Sequence, residues 1–195
     1  MRHFLFAAAA LAAFATPAVA ETIAITGGRV VVGDGTAPID GGTVIIRDGN
    51  VIAAGASVAV PADARRIDAK GKWVTPGVFA GFTRLGLSEV DAVKGTNDKS
   101  GGKSGFSAAI DVAPAIDPFR SPFAVNRAAG VTRAVVAPEA AESIFAGQGA
   151  IADLGADSNP VTRARAFQFA EFGEDGSALS GGSRAGTHLH FRAML

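Results

Sequence analysis

The chain has 195 residues with 18 basic and 18 acidic side chains, and apolar residues make up 48% of it. This balance argues against a nucleic-acid partner, because proteins that bind nucleic acid carry basic patches. Cysteine is absent, which excludes disulfides, a thiolate nucleophile and cysteine-ligated zinc. The apolar content is enough for a folded core, and the 25 glycines and 9 prolines favour short elements joined by turns.

Residues 1–20 have the pattern of a secretory signal peptide. Arg2 and His3 form a short positive segment, Phe4 to Phe14 is apolar, and Ala18-Val19-Ala20 is a cleavage site of the small-x-small type. The apolar run is shorter than the ~20 residues of a membrane span. We therefore expect an exported protein, periplasmic or secreted, that has no membrane contact after cleavage. An uncleaved membrane anchor is the alternative.

Residues 21–75 are predicted to form half of a β-sandwich, with short strands at 22–25, 29–32, 43–47, 51–54, 65–68 and 72–74. Asp48-Gly49-Asn50 separates two apolar runs and predicts a hairpin, because such a turn needs positive φ. Ala69-Lys70-Gly71 predicts a second hairpin.

Residues 76–195 are predicted to form an α/β region, which begins where the character of the sequence changes at Pro76-Gly77. We expect a buried strand at 78–82, a mobile polar loop at 94–105, a helix at 123–129, a buried parallel strand at 130–138, and helices at 163–172 and 184–195. A helix followed by a parallel strand is the repeating unit of an α/β barrel.

Four segments in a fixed order carry a resemblance to a known family. They are Gly27-Gly28-Arg29-Val30, the run 42–55, the run 67–72, and Val74-Thr75-Pro76-Gly77. In this order and spacing the chain resembles the N-terminal portion of the amidohydrolase superfamily, especially its exported, imidazolonepropionase-like members. The resemblance extends over about residues 22–155.

The resemblance implies a composite fold and a metal-dependent activity. The first segment would be half of a β-sandwich, and Pro76-Gly77 would lead into strand 1 of a TIM-type (β/α)8 barrel. Intact members hydrolyse carbon–nitrogen bonds other than peptide bonds with a divalent metal such as zinc, which lowers the pKa of bound water. Their first two metal ligands are a His-x-His pair at the end of strand 1.

This sequence departs from the family at those ligand positions. Phe82 and Arg84 replace the two histidines, and Ala80 replaces the preceding acid. Phenylalanine has no lone pair to donate, and arginine stays protonated. We therefore expect no metal, no cofactor and no catalytic residues of the family type in this chain, and the substrate stays unknown.

The segment 76–195 is also shorter than the ~250 residues of a full barrel. A partial barrel would expose strand edges and apolar faces. The first hypothesis is thus an amidohydrolase-type chain that is inactive in this truncated form. The alternative is a non-catalytic exported partner subunit that completes another barrel protein, such as a homologous amidohydrolase, or that self-associates through its edges. A third interpretation is a gene fragment or frameshifted product.

Several other patterns in the sequence partly match known functional sites. His188 and His190 form a second His-x-His, but on a helix they point apart, so two exposed histidines are favoured over a metal site. Gly101-Gly102-Lys103-Ser104 lacks the first glycine of a phosphate loop. The run 147–150 is interpreted as a tight loop in which Gln148 could contact a ligand. A dinucleotide site is disfavoured there.

Acidic residues near the end of strand 1 offer a last candidate. A carboxylate pair could form there, although solvated side chains are favoured; the residues concerned are Glu89, Asp91, Asp98 and Asp111. Glu171, Glu174 and Asp175 are interpreted as an acidic loop. Serine-type catalysis is disfavoured, because no nucleophile elbow is present.

Overall fold

The computed structural model describes residues 21–155 and 157–195, and the predicted signal peptide lies outside the described residues. The chain divides into two compact units between Pro76 and Gly77. Together the units are mixed α/β, with two sheets and more strand than helix. The described residues form neither a closed barrel nor a sandwich.

The first unit is a single five-stranded sheet with β1 in its middle. The strands are β1 (Thr22–Val30), β2 (Ile39–Arg47), β3 (Asn50–Gly55), β4 (Arg65–Asp68) and β5 (Trp73–Val74). Their order is β3-β2-β1-β4, and β5 also pairs with β1. A sandwich needs a second sheet to cover the first, and the described part of this unit provides one sheet.

The hairpin predicted at Asp48-Gly49 is confirmed. Both residues have positive φ, 51° and 76°, and β2 pairs antiparallel with β3. Gly49 adopts this conformation without a steric penalty, since it lacks a Cβ. The hairpin could be predicted from the sequence because the requirement for positive φ selects these residue types.

The second predicted hairpin, at 69–71, is wrong. Strands β4 and β5 do not pair with each other; both run parallel to β1 along the same edge. The register of β1 shifts around Gly28, and the turn after β4 follows that bulge. Ala69 N–H donates to Thr26 O at 2.8 Å, and Arg29 N–H donates to Lys72 O at 2.9 Å. The two strands predicted at 22–25 and 29–32 are instead one strand, β1, which continues through the bulge at Gly28 and ends at Val30.

The second unit contains a four-stranded sheet and three α-helices. The strands are β6 (Val78–Thr83), β7 (Val131–Val136), β8 (Phe145–Asp153) and β9 (Val161–Ala170), and the helices are α1 (Ser121–Ala128), α2 (Glu174–Ala178) and α3 (Arg184–Met194). The strand order is β6-β7-β8-β9. Strands β6 and β7 are parallel, whereas β7-β8 and β8-β9 are antiparallel. Thus only β6, α1 and β7 form the unit predicted for a barrel, in which a helix connects two parallel strands.

The core of this unit lies between the sheet and the segment that leads into α1. Phe123 and Leu87 are fully buried, and they belong to one cluster with Val112, Val136 and Leu154. Phe123 lies on α1, so burial of its ring fixes this helix against the β6-β7 pair. The core therefore holds the ends of these two parallel strands in place.

Three predicted elements of this unit are wrong in kind or in burial. The predicted helix at 163–172 is strand β9, and the predicted loop at 147–150 lies inside strand β8. Gly149 pairs with Phe167, whose ring covers the glycine, so non-local packing overrides the helix propensity of the Arg/Ala run. Strand β6 exists, but it is not buried: Val78, Phe79 and Phe82 are more than half exposed on this edge strand.

The helices predicted at 123–129 and 184–195 are confirmed as α1 and α3. The predicted acidic loop instead contains the short helix α2, which begins at Glu174 after Gly173. The polar segment 94–105 is largely irregular, as predicted, with one short 3-10 turn at Lys94–Thr96. Within the described ranges, no helix has the length and apolar character needed to cross a membrane.

Candidate functional site at the carboxyl ends of β6 and β7

The two parallel strands end side by side. Thr83, the last residue of β6, pairs with Val136, the last residue of β7. The Thr83 hydroxyl donates to Val135 O at 2.8 Å, and Ala137 N–H donates to Thr83 O at 3.0 Å. Ligand sites of α/β proteins lie at the carboxyl ends of parallel strands. Phe82 and Arg84, the positions singled out in the sequence, flank this junction.

Arg84 is held at the junction by a hydrogen bond, an ion pair and two aromatic rings. Its Nη1 donates to Ala137 O at 3.1 Å, and its Nε lies 3.8 Å from a carboxylate oxygen of Glu139. The guanidinium carbon lies 4.9 Å from the ring centroid of Phe82 and 5.6 Å from that of Phe169. Such stacking on aromatic faces favours the cation and fixes the plane of the guanidinium group.

Burial and the neighbouring charges shift the pKa of Arg84 in opposite directions. Partial burial lowers the pKa of Arg84 below its usual value, while the nearby carboxylates of Glu139 and Glu171 act to raise it. A guanidinium keeps its proton in proteins even so. The position therefore carries a fixed positive charge.

A second cation, Lys99, shares the carboxylate of Glu139. Its Nζ lies 3.1 Å from Glu139 and 3.3 Å from Asp91, and Glu139 N–H donates to Lys99 O at 2.7 Å. Burial disfavours the ammonium, but the bonds to Glu139 and Asp91 prevail and raise the pKa of Lys99. The Ser88 hydroxyl and then Lys99 lower the pKa of Asp91. Sequence reasoning missed Lys99, Glu139 and Phe169, because no local pattern connects them to Arg84.

An open cleft of about 420 Å³ lies beside Arg84; its lining residues are Thr83, Arg84, Leu85, Ser88, Glu89, Asp91, Pro122 and Asn126. Glu89 and Asp91 thus share this cleft, as the carboxylate-pair hypothesis required, although each has its own partner. Glu89 accepts hydrogen bonds from the backbone and hydroxyl of Ser121. The cleft is therefore lined by one guanidinium and two carboxylates.

The other two acids of that hypothesis do not line the cleft. Asp98 pairs with Arg120 at 2.6 Å. Asp111 lies 3.7 Å from Arg165 and accepts from the Ala113 N–H. These bonds stabilise the surrounding loops and leave no four-carboxylate group.

The residues at the junction do not fit a divalent metal. Phe82 offers no donor atom, and the charge of Arg84 repels a cation. Across residues 21–155 and 157–195, no group of three or more His, Asp or Glu side chains is arranged to hold a metal ion. The donor set here therefore departs from the one that the family resemblance implies.

The two histidines of α3 have separate environments. His190 Nδ1 lies 3.2 Å from the Ser180 hydroxyl oxygen, whereas the His188 ring lies 5.2 Å from the Phe172 ring. Residues two apart on a helix point in different directions, and the contacts of His188 and His190 follow that geometry. The arrangement does not favour a shared metal ion.

Both glycine-rich runs take part in backbone hydrogen bonds of the fold. A short 3-10 turn spans Ala113–Ala115. Gln148 bonds to the segment before this turn through its main chain, since its N–H donates to Ile110 O and its carbonyl accepts from Val112 N–H. Gly101 and Ser104 close a tight turn through a 3.1 Å backbone bond. No described helix begins directly after that turn, so the backbone arrangement of a phosphate loop is not formed there.

No family model and no curated protein matches the chain. Among solved structures, it is similar to an amidohydrolase from Thermotoga maritima MSB8, with a TM-score of 0.75 and 21% identity over 88% of this chain and 46% of that one. The chain thus spans about half the length of that protein, and the likeness shows a shared fold. A molinate hydrolase matches over 35% of this chain and 15% of its own at 40% identity, with a TM-score of 0.32.

Proposed function

We propose that this chain is an amidohydrolase-type protein that does not carry out the metal-assisted hydrolysis of carbon–nitrogen bonds associated with that family. The ordered sequence segments between Gly27 and Gly77 and the fold shared with part of the Thermotoga amidohydrolase support the family assignment. The observation that carries the functional conclusion is the guanidinium of Arg84, paired with Glu139 at the carboxyl end of β6.

Metal-assisted hydrolysis needs a divalent cation that polarises the substrate and generates hydroxide near neutral pH. A permanent cation at Arg84 opposes a metal at this position, and Glu139 is already engaged by Lys99. The residues that remain can bind and orient a polar ligand, but they offer no group to replace the metal. A binding role follows more readily from this arrangement than a hydrolytic one.

The test is a hydrolysis assay of the purified chain with Zn²⁺ or Mn²⁺ and a panel of cyclic amides. We expect no turnover above the protein-free rate and no metal-dependent rise in the thermal unfolding midpoint. Metal-dependent turnover that a chelator abolishes would overturn the proposal.

A second candidate function is that of a non-catalytic exported partner subunit. The exposed apolar side chains of the edge strand β6 favour it, with Val78, Phe79 and Phe82 exposed by 55%, 54% and 59%. Such surfaces commonly mark interaction sites. Co-expression with a full-length homologous amidohydrolase, followed by light scattering, tests this role. A defined complex is expected, and a monodisperse monomer beside the unbound homologue would rule it out.

Export to the periplasm or medium belongs to the same proposal and rests on the pattern of residues 1–20. N-terminal sequencing of the chain recovered from cell fractions tests it. A mature start near Glu21 in the exported fraction is expected. Full-length chain confined to the cytoplasm would contradict export without affecting the site argument.

A further inference from the structure

We propose that Arg84 binds the carboxylate of a small zwitterionic ligand, an amino acid whose ammonium group lies toward Glu89 and Asp91. This inference rests on the proposed binding role of the cleft. It is carried by three features of the site: the donors of Arg84, the pairing of Glu139, and the presence of both signs of charge among the residues that line the cleft.

Arg84 has hydrogen-bonding capacity beyond the bonds that hold it. A guanidinium carries five N–H donors in a planar fork that matches a carboxylate. To the described residues Arg84 makes one hydrogen bond, from Nη1 to Ala137 O, since its 3.8 Å approach to Glu139 exceeds hydrogen-bond length. The side chain is 24% exposed and lines the cleft, so part of it is accessible to a ligand.

The aromatic rings prepare this fork for binding. The ring centroids of Phe82 and Phe169 lie 5.4 Å apart, and both rings lie near the guanidinium of Arg84. A side chain whose plane is already fixed loses less conformational freedom when it binds. The site is therefore better suited to a planar carboxylate than a freely rotating surface arginine would be.

Glu139 does not block this position. Its carboxylate lies closer to Lys99, at 3.1 Å, than to Arg84, at 3.8 Å. Lys99 is well enclosed, with a side-chain exposure of 15%. A ligand carboxylate can thus take the fork of Arg84 while Glu139 remains neutralised by Lys99.

Two acidic residues that line the same cleft select against a simple anion. They are Glu89 and Asp91; Asp91 also pairs with Lys99 at 3.3 Å, but its side chain is 80% exposed. Their charges repel a second carboxylate and attract an ammonium group. A ligand with one charge of each sign can pair with both the guanidinium and the carboxylates of the same cleft.

The test measures binding of ω-amino acids, from glycine to 6-aminohexanoate, to the full chain by calorimetry and by NMR of the arginine Nε–H resonances. Butyrate and butylamine are the single-charge controls. We expect at least one amino acid to bind more tightly than either control and to shift the Arg84 resonance. An absence of binding by every amino acid up to about 10 mM, or equal binding of butyrate, would overturn the proposal.

Variants separate ligand binding from a structural role of Arg84. Arg84→Met should weaken binding by about tenfold or more, because a charge-assisted pair is lost, and Arg84→Lys should weaken it less, because the charge stays but the fork does not. Glu139→Gln should tighten binding about threefold, because the Glu139 carboxylate, although paired mainly with Lys99, still lies 3.8 Å from Arg84 and repels a ligand carboxylate there. Unchanged affinity in Arg84→Met, or weaker binding in Glu139→Gln with a wild-type circular dichroism spectrum, would contradict the proposal.

Loss of this inference would leave the hydrolysis result, and hence the proposed function, unaffected.

Discussion

Nε of Arg84 lies 3.8 Å from a carboxylate oxygen of Glu139, although the two residues are more than fifty positions apart in the chain. Each follows the end of one of two parallel strands, β6 and β7. The pair therefore places opposite charges at the strand edge where α/β proteins commonly bind ligands. It also explains how a cation is accommodated at a position where the family resemblance implies a metal ligand.

The bonds of Asp91 predict a loss of stability in acid. Its hydrogen bond from Ser88 and its pair with Lys99 lower the pKa of Asp91 below the ordinary value of 3.8. A lowered folded-state pKa stabilises the fold above the unfolded-state value, and this contribution is lost as pH falls through the folded-state value. Asp91→Asn should therefore reduce the urea midpoint at pH 6 and have less effect at pH 3. An effect that is equally large at both values would contradict this account.

Phe123 anchors α1 to the core, so its truncation should be costly. Its side chain is fully buried in the cluster that also holds Leu87 and Val136. Phe123→Ala should lower the free energy of unfolding by about 3–5 kcal/mol. The matched control is Phe119→Ala, whose side chain is 79% exposed. Urea denaturation that gives the same loss for both variants would refute the predicted core.

The packing of Phe167 on Gly149 tests the strand assignment of β8 and β9. A Cβ at Gly149 would lie 2.0 Å from the Phe167 ring, whereas a Cβ at Gly81 meets no atom within 4 Å. Gly149→Ala should therefore destabilise the chain by about 1–3 kcal/mol through overpacking. Gly81→Ala, in the outer strand β6, is the control and should have a smaller effect. Equal denaturation midpoints for the two variants would argue against the β8-β9 pairing.

The hairpin turn at Gly49 should be sensitive to a side chain because of its backbone conformation. Its φ is 76° while the space around it is open, so an added methyl group causes strain without a clash. Gly49→Ala should cost about 1 kcal/mol. Gly95→Ala, which also faces open space but has no positive φ, should have a smaller effect on the thermal unfolding midpoint. A neutral Gly49→Ala would contradict the turn geometry.

The elements that the sequence predicted correctly are those fixed by local chemistry. Asp48-Gly49 predicts its hairpin because few other residues tolerate positive φ, and α1 and α3 follow from helical patterns that nothing else overrides. Strand β9 was missed because Arg163 to Ala166 consists of strong helix formers. The strand conformation depends on the pairing of Phe167 with Gly149. This contact joins residues distant in the sequence, so the local residue pattern of β9 does not predict it.

The sequence predicted only part of the candidate site. The sequence singled out Phe82 and Arg84 through the family resemblance, and both flank the junction of β6 and β7. Their partners Lys99, Glu139 and Phe169 come from three separate segments. These segments meet only when β7 and β9 take their places in the sheet, so the charge balance of Arg84 could not be inferred beforehand.

Zinc binding by equilibrium dialysis tests the central claim most directly. The assay should use a His188→Ala/His190→Ala variant, so that zinc binding to the histidines of α3 does not obscure the result. Our account predicts that this variant retains well below one equivalent of Zn²⁺ after dialysis, because Phe82 and Arg84 provide no ligand. Retention of one equivalent, released by a chelator together with loss of amide hydrolysis, would contradict it.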